Sequence, residues 1–258
     1  MTTGLFNPDD GFQVSYSVLV RSLVFNALFY VNIIMRMIVA LPTIVLPYKF
    51  LHGVLRHYAA STLWLLRVVC SINVEWRGCE KLPQGAYLVA CKHQSLWETF
   101  ALFEILPDPT FVLKQELMWL PLFGWLARAA GMIAIDRGSR ASALARMVAA
   151  ARTEAAGSRQ IVIFPEGTRR PPGAEPRYLP GVALLYAEMK LPCVPVALNS
   201  GLFWPRRSFR RYPGTVLVEV LDPIPPGLDK RAFLRRLQAV LEPATARLVA
   251  EGSAGADR

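Results

Sequence analysis

Tyr87-Leu88-Val89-Ala90-Cys91-Lys92-His93-Gln94-Ser95-Leu96-Trp97-Glu98-Thr99 is the stretch on which the reading of this chain turns. Its first five residues form an apolar run of strand length, and the polar residues after it predict a loop at the strand's carboxyl end. Open α/β sheets place their ligands at such ends. Four residues separate His93 from Glu98. If Ser95 caps a following helix, Glu98 lies in its first turn, where the carboxylate can fold back toward the imidazole. A neutral imidazole accepts a proton near pH 7, and a carboxylate beside it fixes the tautomer and stabilises the imidazolium. The pair alone also allows a plainer reading, in which Glu98 bonds a helix amino terminus and a backbone carbonyl orients His93.

Working outward, the chain after Asn73 alternates short β-rich runs with helical segments, the pattern of an α/β domain. The expected strands are Val74 to Trp76, Tyr87 to Cys91, Phe111 to Lys114, Met132 to Asp136, Ile161 to Phe164, Val194 to Leu198 and Thr215 to Val220. They make one seven-stranded sheet. Helices are expected over Leu96 to Ile105, Leu120 to Ala130, Ala141 to Ala155, Gly181 to Lys190 and Lys230 to Glu251. Pro195 inside its strand predicts an edge or a bulge. The domain is drawn from residue 73 to 251, with a flexible tail over 252–258.

Upstream the texture differs. Residues 1–14 are a polar amino terminus, and no acidic residue stands between Asp10 and Glu75. Arg21, Arg36, Lys49, Arg56 and Arg67 punctuate the apolar runs of residues 15–72 with basic charge alone. This predicts a membrane-associated helical segment. Residues 22 to 48 are long enough to cross a bilayer, yet Arg36 falls near the middle and Pro42 and Pro47 interrupt the end. A helical pair embedded in one leaflet, its arginines reaching lipid phosphates, is the alternative to a span. A buried core hairpin is the alternative to both.

Composition agrees with a membrane protein that has a basic surface. Hydrophobic residues make up 53% of the 258, and the formal net charge is +10. A basic surface attracts anionic lipid or nucleic acid. Nucleic acid is set aside because no zinc-finger spacing, recognition helix or RNA-binding aromatic motif is present. Cys70, Cys79, Cys91 and Cys193 show no C-x-x-C pairing and lie in or beside apolar runs, which predicts free thiols in a reducing compartment. The first twenty residues hold Asp9 and Asp10 but no Lys or Arg, so a cleaved signal peptide is not expected.

Further blocks follow in order: Val112-Leu113-Lys114-Gln115-Glu116-Leu117, Gly131-Met132-Ile133-Ala134-Ile135-Asp136-Arg137, Phe164-Pro165-Glu166-Gly167-Thr168-Arg169, Tyr178-Leu179-Pro180-Gly181 and Leu191-Pro192-Cys193-Val194-Pro195-Val196. With His93 and Glu98 ahead of them, these blocks resemble the glycerolipid acyltransferases of the 1-acylglycerol-3-phosphate O-acyltransferase family over about residues 74 to 225. That family carries His-x-x-x-x-Asp where this chain has Glu98, one methylene longer.

The resemblance implies a single acyltransferase domain that moves a fatty acyl group from acyl-CoA or acyl-ACP to the sn-2 hydroxyl of lysophosphatidic acid, giving phosphatidic acid. The implied catalytic residues are His93 as base, Glu98 as its orienter and Lys114 near the oxyanion. Arg137, Gly167, Thr168 and Arg169 are implied to hold the glycerol phosphate, with Glu166 bonding backbone or a glycerol hydroxyl. A guanidinium offers phosphate a planar fork of donors, and Gly167 permits close approach of backbone to ligand. No metal or cofactor is implied, only membrane phospholipid and the two co-substrates as partners. Without a Gly-x-Ser-x-Gly elbow, direct transfer is expected over an acyl-enzyme. Both thioester donors are cytosolic, so the domain is expected on the cytoplasmic face of a bacterial inner membrane. Glycerol 3-phosphate, another lysophospholipid or a lyso-ornithine lipid are alternative acceptors, and an inactive lipid-binding protein is the alternative class. Phe203, Trp204 and Phe209 among Arg206, Arg207, Arg210 and Arg211 predict an aromatic and basic loop at an anionic bilayer surface.

Overall fold

The computed structural model describes residues 15–136 and 140–254. Two long helices come first: α1 (Tyr16–Ala40) and α2 (Tyr48–Cys70). Ser15 caps α1, accepting the amide of Ser17 at 3.4 Å, and Pro42 ends it in a tight turn over Leu41–Val45. α2 stops at Ser71, whose φ of 54° lies in the left-handed region. The strands β1 (Ile72–Arg77), β2 (Tyr87–Cys91), β3 (Pro109–Lys114), β4 (Ile133–Ile135), β5 (Gln160–Ile163), β6 (Cys193–Leu198) and β7 (Gly214–Val220) form one sheet in the order β1-β7-β6-β2-β5-β3-β4.

β6, β2, β5, β3 and β4 run parallel to their neighbours, while β7 is antiparallel to β6 and carries β1 parallel to itself. Every residue of β2, β5 and β6 is buried. That is why these strands read as continuous apolar runs: parallel strands are covered on both faces. One face carries α1, α2 and the short helix α3 (Glu98–Ala101), whose Phe25, Phe29, Leu66 and Phe100 pack with Val89, Val162 and Val196. α4 (Phe123–Ala129) lies beside the turn between α1 and α2, with Leu126 against Ala40 and Leu51. On the other face α5 (Arg140–Ala156), α6 (Pro180–Met189) and α8 (Lys230–Ala254) bring Met147, Leu185, Phe233 and Leu237 onto Leu88 and Ile161. α7 (Ser200–Phe203) follows β6.

The structure departs from the expected elements at three places. The helix expected from Leu96 is shorter: α3 starts at Glu98 and passes at Leu102–Glu104 into a tighter turn. The helix expected from Leu120 starts at Phe123, because Pro121 breaks the run and Leu122 takes a φ of 62°. Pro195 does not mark an edge, since β6 is interior and Pro195 pairs with Ala90 of β2. Its missing N–H falls on the β7 side, where the ladder is interrupted between the Cys193–Ile224 bridge and Val196–Val220.

The amino-terminal hairpin is two-faced. Phe25, Phe29, Ala59, Leu66 and Cys70 face the sheet in the same core as its strands. On the opposite side Leu23, Val31, Ile34, Met35, Ile38, Val39, Trp64 and Val68 are exposed. Their helical spacing makes a continuous apolar stripe, and large stripes of this kind mark membrane or protein contact. Residues Tyr16–Val45 are, by length and composition, apolar enough to cross a membrane. Leu23 is 67% exposed and Phe25 is 0%. Phe25→Ala is therefore expected to destabilise the protein by about 3–5 kcal/mol and Leu23→Ala by less than about 0.5 kcal/mol. Denaturant titration in detergent micelles checks this, and equal losses would contradict the two-faced packing.

Candidate active site

The sheet positions the candidate residues by direction alone. β2, β5, β3 and β4 are adjacent and parallel, so their carboxyl ends share one edge. His93 follows β2, the turn Phe164 to Arg169 follows β5, and Lys114 ends β3. Phe111 pairs with Val162 and Val162 with Val89, so Lys114, three residues on, is level with Pro165 and Lys92. Two strand spacings of about 4.8 Å separate β3 from β2. Lys114 is exposed there, and so is Asp136 after β4. Arg137 lies outside the described residues.

Glu98 is fully buried, and its carboxylate gathers four donors. Oε1 lies 2.8 Å from His93 Nδ1 and accepts the amides of Gln94 at 2.7 Å and Ser95 at 2.8 Å. Oε2 accepts the hydroxyl of Ser200 at 2.8 Å. The two arrangements that the sequence leaves open therefore coexist, because Glu98 binds loop amides at the start of α3 and the imidazole together. An ionised carboxylate only accepts hydrogen bonds, so Nδ1 of His93 carries the proton and Nε2 is left with its lone pair. Ser95 accepts the amide of Trp97 at 3.2 Å and closes the turn. The His93 ring stacks on Phe164, with centroids 4.0 Å apart and planes inclined by 16°.

The turn after β5 holds the backbone of His93 at both ends. Glu166 Oε2 accepts the His93 amide at 3.3 Å, and the Arg170 amide donates to the His93 carbonyl at 2.8 Å. Glu166 is buried, and its other oxygen receives Lys92 Nζ at 2.7 Å. The same ammonium bonds Glu242 of α8 at 3.0 Å, and Tyr178 donates to Glu242 at 2.6 Å. Burial pushes the Glu166 carboxyl up, and Lys92 pulls it back. Glu166 thus braces the loop that carries His93, with its side chain facing inward. Thr168 is exposed and Arg169 half-buried on the rim, while Gly167, with a φ of 62°, turns the chain between them and Glu166. Arg206 donates to the Arg169 carbonyl at 2.7 Å. Burial, with Arg207, Arg169 and Arg170 close by, lowers the Arg206 guanidinium below its usual range.

One feature differs from its surface reading: Phe203 and Trp204 of the expected aromatic and basic loop are buried. Arg211 is buried, donates to Asn26 at 2.9 Å and stacks on Trp204 at 4.1 Å, so it staples its loop to α1 while Phe209 stays exposed. The four cysteines are free, three of them buried. Cys91, two residues from His93, is held as a thiol by full burial, and its Sγ lies 3.2 Å from the Lys92 carbonyl. Lys92, Ser200, Tyr178 and Glu242 had no signal in the sequence beyond Lys92 standing beside His93, because their partners lie 64 to 150 residues away.

This edge brings a paired imidazole beside the turn that follows β5. The sequence profile of the family described as Acyltransferase matches residues 73–199, and the chain belongs to that family. The 1-acyl-sn-glycerol-3-phosphate acyltransferase of Pseudomonas aeruginosa is 36% identical over 173 residues, 67% of this chain and 66% of that protein. The mouse enzyme of the same name, alpha form, is 32% identical over 157 residues, 59% of this chain and 55% of its own length. The matched region thus spans just under two thirds of the length of the first of these relatives and just over half of the second. The fold is shared with the crystal structure of a 1-acyl-sn-glycerophosphate (LPA) acyltransferase from Thermotoga maritima, at a TM-score of 0.75 and 20% identity, covering 90% of this chain and 97% of that one.

Breaking the buried ion pair isolates the brace. Lys92→Met leaves Glu166 without its counter-charge and is expected to destabilise the protein by about 3–5 kcal/mol, whereas Lys92→Met with Glu166→Gln recovers part of that loss. Denaturation of the single and double variants measures the coupling, and strictly additive losses would show that the two side chains act independently.

Proposed function

We propose that this chain is a membrane-attached enzyme that transfers a fatty acyl group from acyl-CoA or acyl-ACP to the sn-2 hydroxyl of lysophosphatidic acid, forming phosphatidic acid. The observation that carries the reading is the 2.8 Å contact of His93 Nδ1 with a carboxylate wholly enclosed by donors. With Nδ1 committed to Glu98, Nε2 takes the acceptor's hydroxyl proton as its oxygen attacks the thioester carbonyl. Glu98 stabilises the imidazolium that forms. The tetrahedral intermediate collapses, the C–S bond breaks, and the imidazolium returns the proton to the departing thiolate.

Lys114, at the same edge, reaches toward the developing oxyanion. Arg137, Thr168 and Arg169 hold the acceptor phosphate, with Gly167 bringing backbone close to it. Direct transfer is favoured by the state of the nearby nucleophiles: Cys91 is a buried thiol, and Ser95 and Ser200 are buried and hydrogen-bonded. The reaction written this way uses no bound metal or cofactor.

The hairpin supports attachment within one leaflet. Its inner face is part of the sheet's core, so lipid cannot surround α1, while the opposite stripe is apolar and solvent-facing. We place the enzyme on the cytoplasmic face of the bacterial inner membrane, where both thioester donors are found.

Transfer of labelled acyl groups from both thioesters to purified lysophosphatidic acid tests the proposal, with glycerol 3-phosphate, other lysophospholipids and lyso-ornithine lipid as competing acceptors. Wild type is expected to act on lysophosphatidic acid, and His93→Ala to lose on the order of 10²- to 10⁴-fold in kcat. Inert wild type with both donors, or a fully active His93→Ala, refutes the mechanism. Protease treatment of intact inverted inner-membrane vesicles is expected to cleave the domain after residue 73; protection until the vesicles are opened excludes the cytoplasmic face.

A further inference from the structure

Ser200 is a buried hydroxyl that the mechanism above leaves without a part. It lies just beyond the segment matched by the family profile, which ends at Asn199. Among the described residues, Glu98 Oε1 has three donors and Oε2 has one, the Ser200 hydroxyl at 2.8 Å. Both residues are 0% exposed, so water cannot replace that donor. The hydroxyl is held in place from both sides. Asn199 accepts the Leu217 amide of β7 at 2.8 Å and donates to the Leu248 carbonyl of α8 at 3.0 Å. The Gly201 amide donates to the Gln94 side chain at 3.0 Å. A Cβ at Gly201 would lie 2.8 Å from Pro172, so the close seating of this segment requires glycine.

A carboxylate rotates freely about its last bond unless both oxygens are held. The loop amides and His93 fix Oε1, and Ser200 alone fixes Oε2. The length of glutamate makes this possible: an aspartate at position 98 holding the same loop amides would draw its second oxygen a methylene short of Ser200. We propose that Ser200 is a positioning residue that completes a His93–Glu98–Ser200 chain, keeping the carboxylate aligned with the imidazole and dispersing its charge. This rests on the reading of His93 as the base.

The test uses the full chain in mixed micelles. Ser200→Ala is expected to lower kcat by roughly tenfold to a hundredfold, the range for losing one buried charge-assisted hydrogen bond, with both KM values within about twofold. Losing a donor leaves the carboxylate more basic and its grip on the imidazolium tighter. The base then stays protonated to higher pH, so the acid limb of the kcat/KM profile moves upward. Ser200→Thr keeps the hydroxyl and is expected to restore the profile, with melting temperatures compared across variants. In a Glu98→Asp background, Ser200→Ala is expected to add less than about twofold.

A Ser200→Ala enzyme with wild-type kcat and profile overturns the inference. So does an activity loss with an unmoved acid limb that recurs undiminished in Glu98→Asp, since that is a folding role only. The low-field Nδ1 proton resonance of His93, assigned by its loss in His93→Gln, is read without turnover. It is expected to move in Ser200→Ala, and an unmoved resonance overturns the positioning role. Wild type that is inert with both thioesters, together with a resonance that moves in Ser200→Ala, defeats the acyl-transfer reading while leaving the positioning role standing.

Discussion

An ammonium sealed inside a protein must find negative charge, and the sealing of Lys92 determines how the edge that carries His93 is assembled. Glu166 meets it from the turn after β5 and Glu242 from the carboxy-terminal helix, at 2.7 and 3.0 Å. The desolvation of such a cluster is large enough that any arrangement separating its members is disfavoured by several kcal/mol. Because Glu166 also accepts the His93 amide, the same electrostatic demand fixes the loop that carries the imidazole. Enforcing contact between segments distant in sequence keeps the stacking on Phe164 and the bond to Glu98 in register without contributions from a ligand.

The sheet supplies the second constraint. Parallel strands deliver their carboxyl ends to one side, so chemistry-bearing residues from β2, β5 and β3 converge without any long loop. β7 and β1 run the other way, and β1 starts where β2 ends, with the Gly214 amide bonded to the Ser71 carbonyl at 3.0 Å. α2 therefore finishes at the catalytic edge, and α1 is joined to that edge by the Arg211 amide on Ser22 at 2.8 Å. The apolar hairpin and the candidate site sit in one frame, which suits the lipid acceptor and product proposed for it.

Much of this was legible in the residues. The central strands announced themselves because parallel strands are apolar on both faces, whereas His93 and Glu98 stood out only with the blocks behind them, since their spacing alone also fits a plain helix start. The hairpin was legible as apolar but not as two-faced, since a helix that is hydrophobic all round gives no phase to its pattern. Pro195 was read as an edge or a bulge, and only the edge was wrong, because the ladder beside it is broken and no partner waits for the missing donor. Lys92, Tyr178, Glu242 and Ser200 were hidden for a common reason. Their meaning lies in contacts across the fold, and neither a buried lysine nor a buried serine differs in sequence from an exposed one.

The shared core of hairpin and sheet bears on how this protein could be handled or could diversify. An anchor joined by a flexible linker can be cut away to release a working soluble domain. Here excision of residues 15–72 would uncover Phe100 and Trp204, against which Tyr58 and Phe25 pack, and open the core that the hairpin shares with the sheet. Solubility is therefore reached by repainting the outer stripe rather than by truncation. For the same reason, substitutions that change how this chain meets lipid are tolerated only on the side of α1 and α2 that the sheet does not touch.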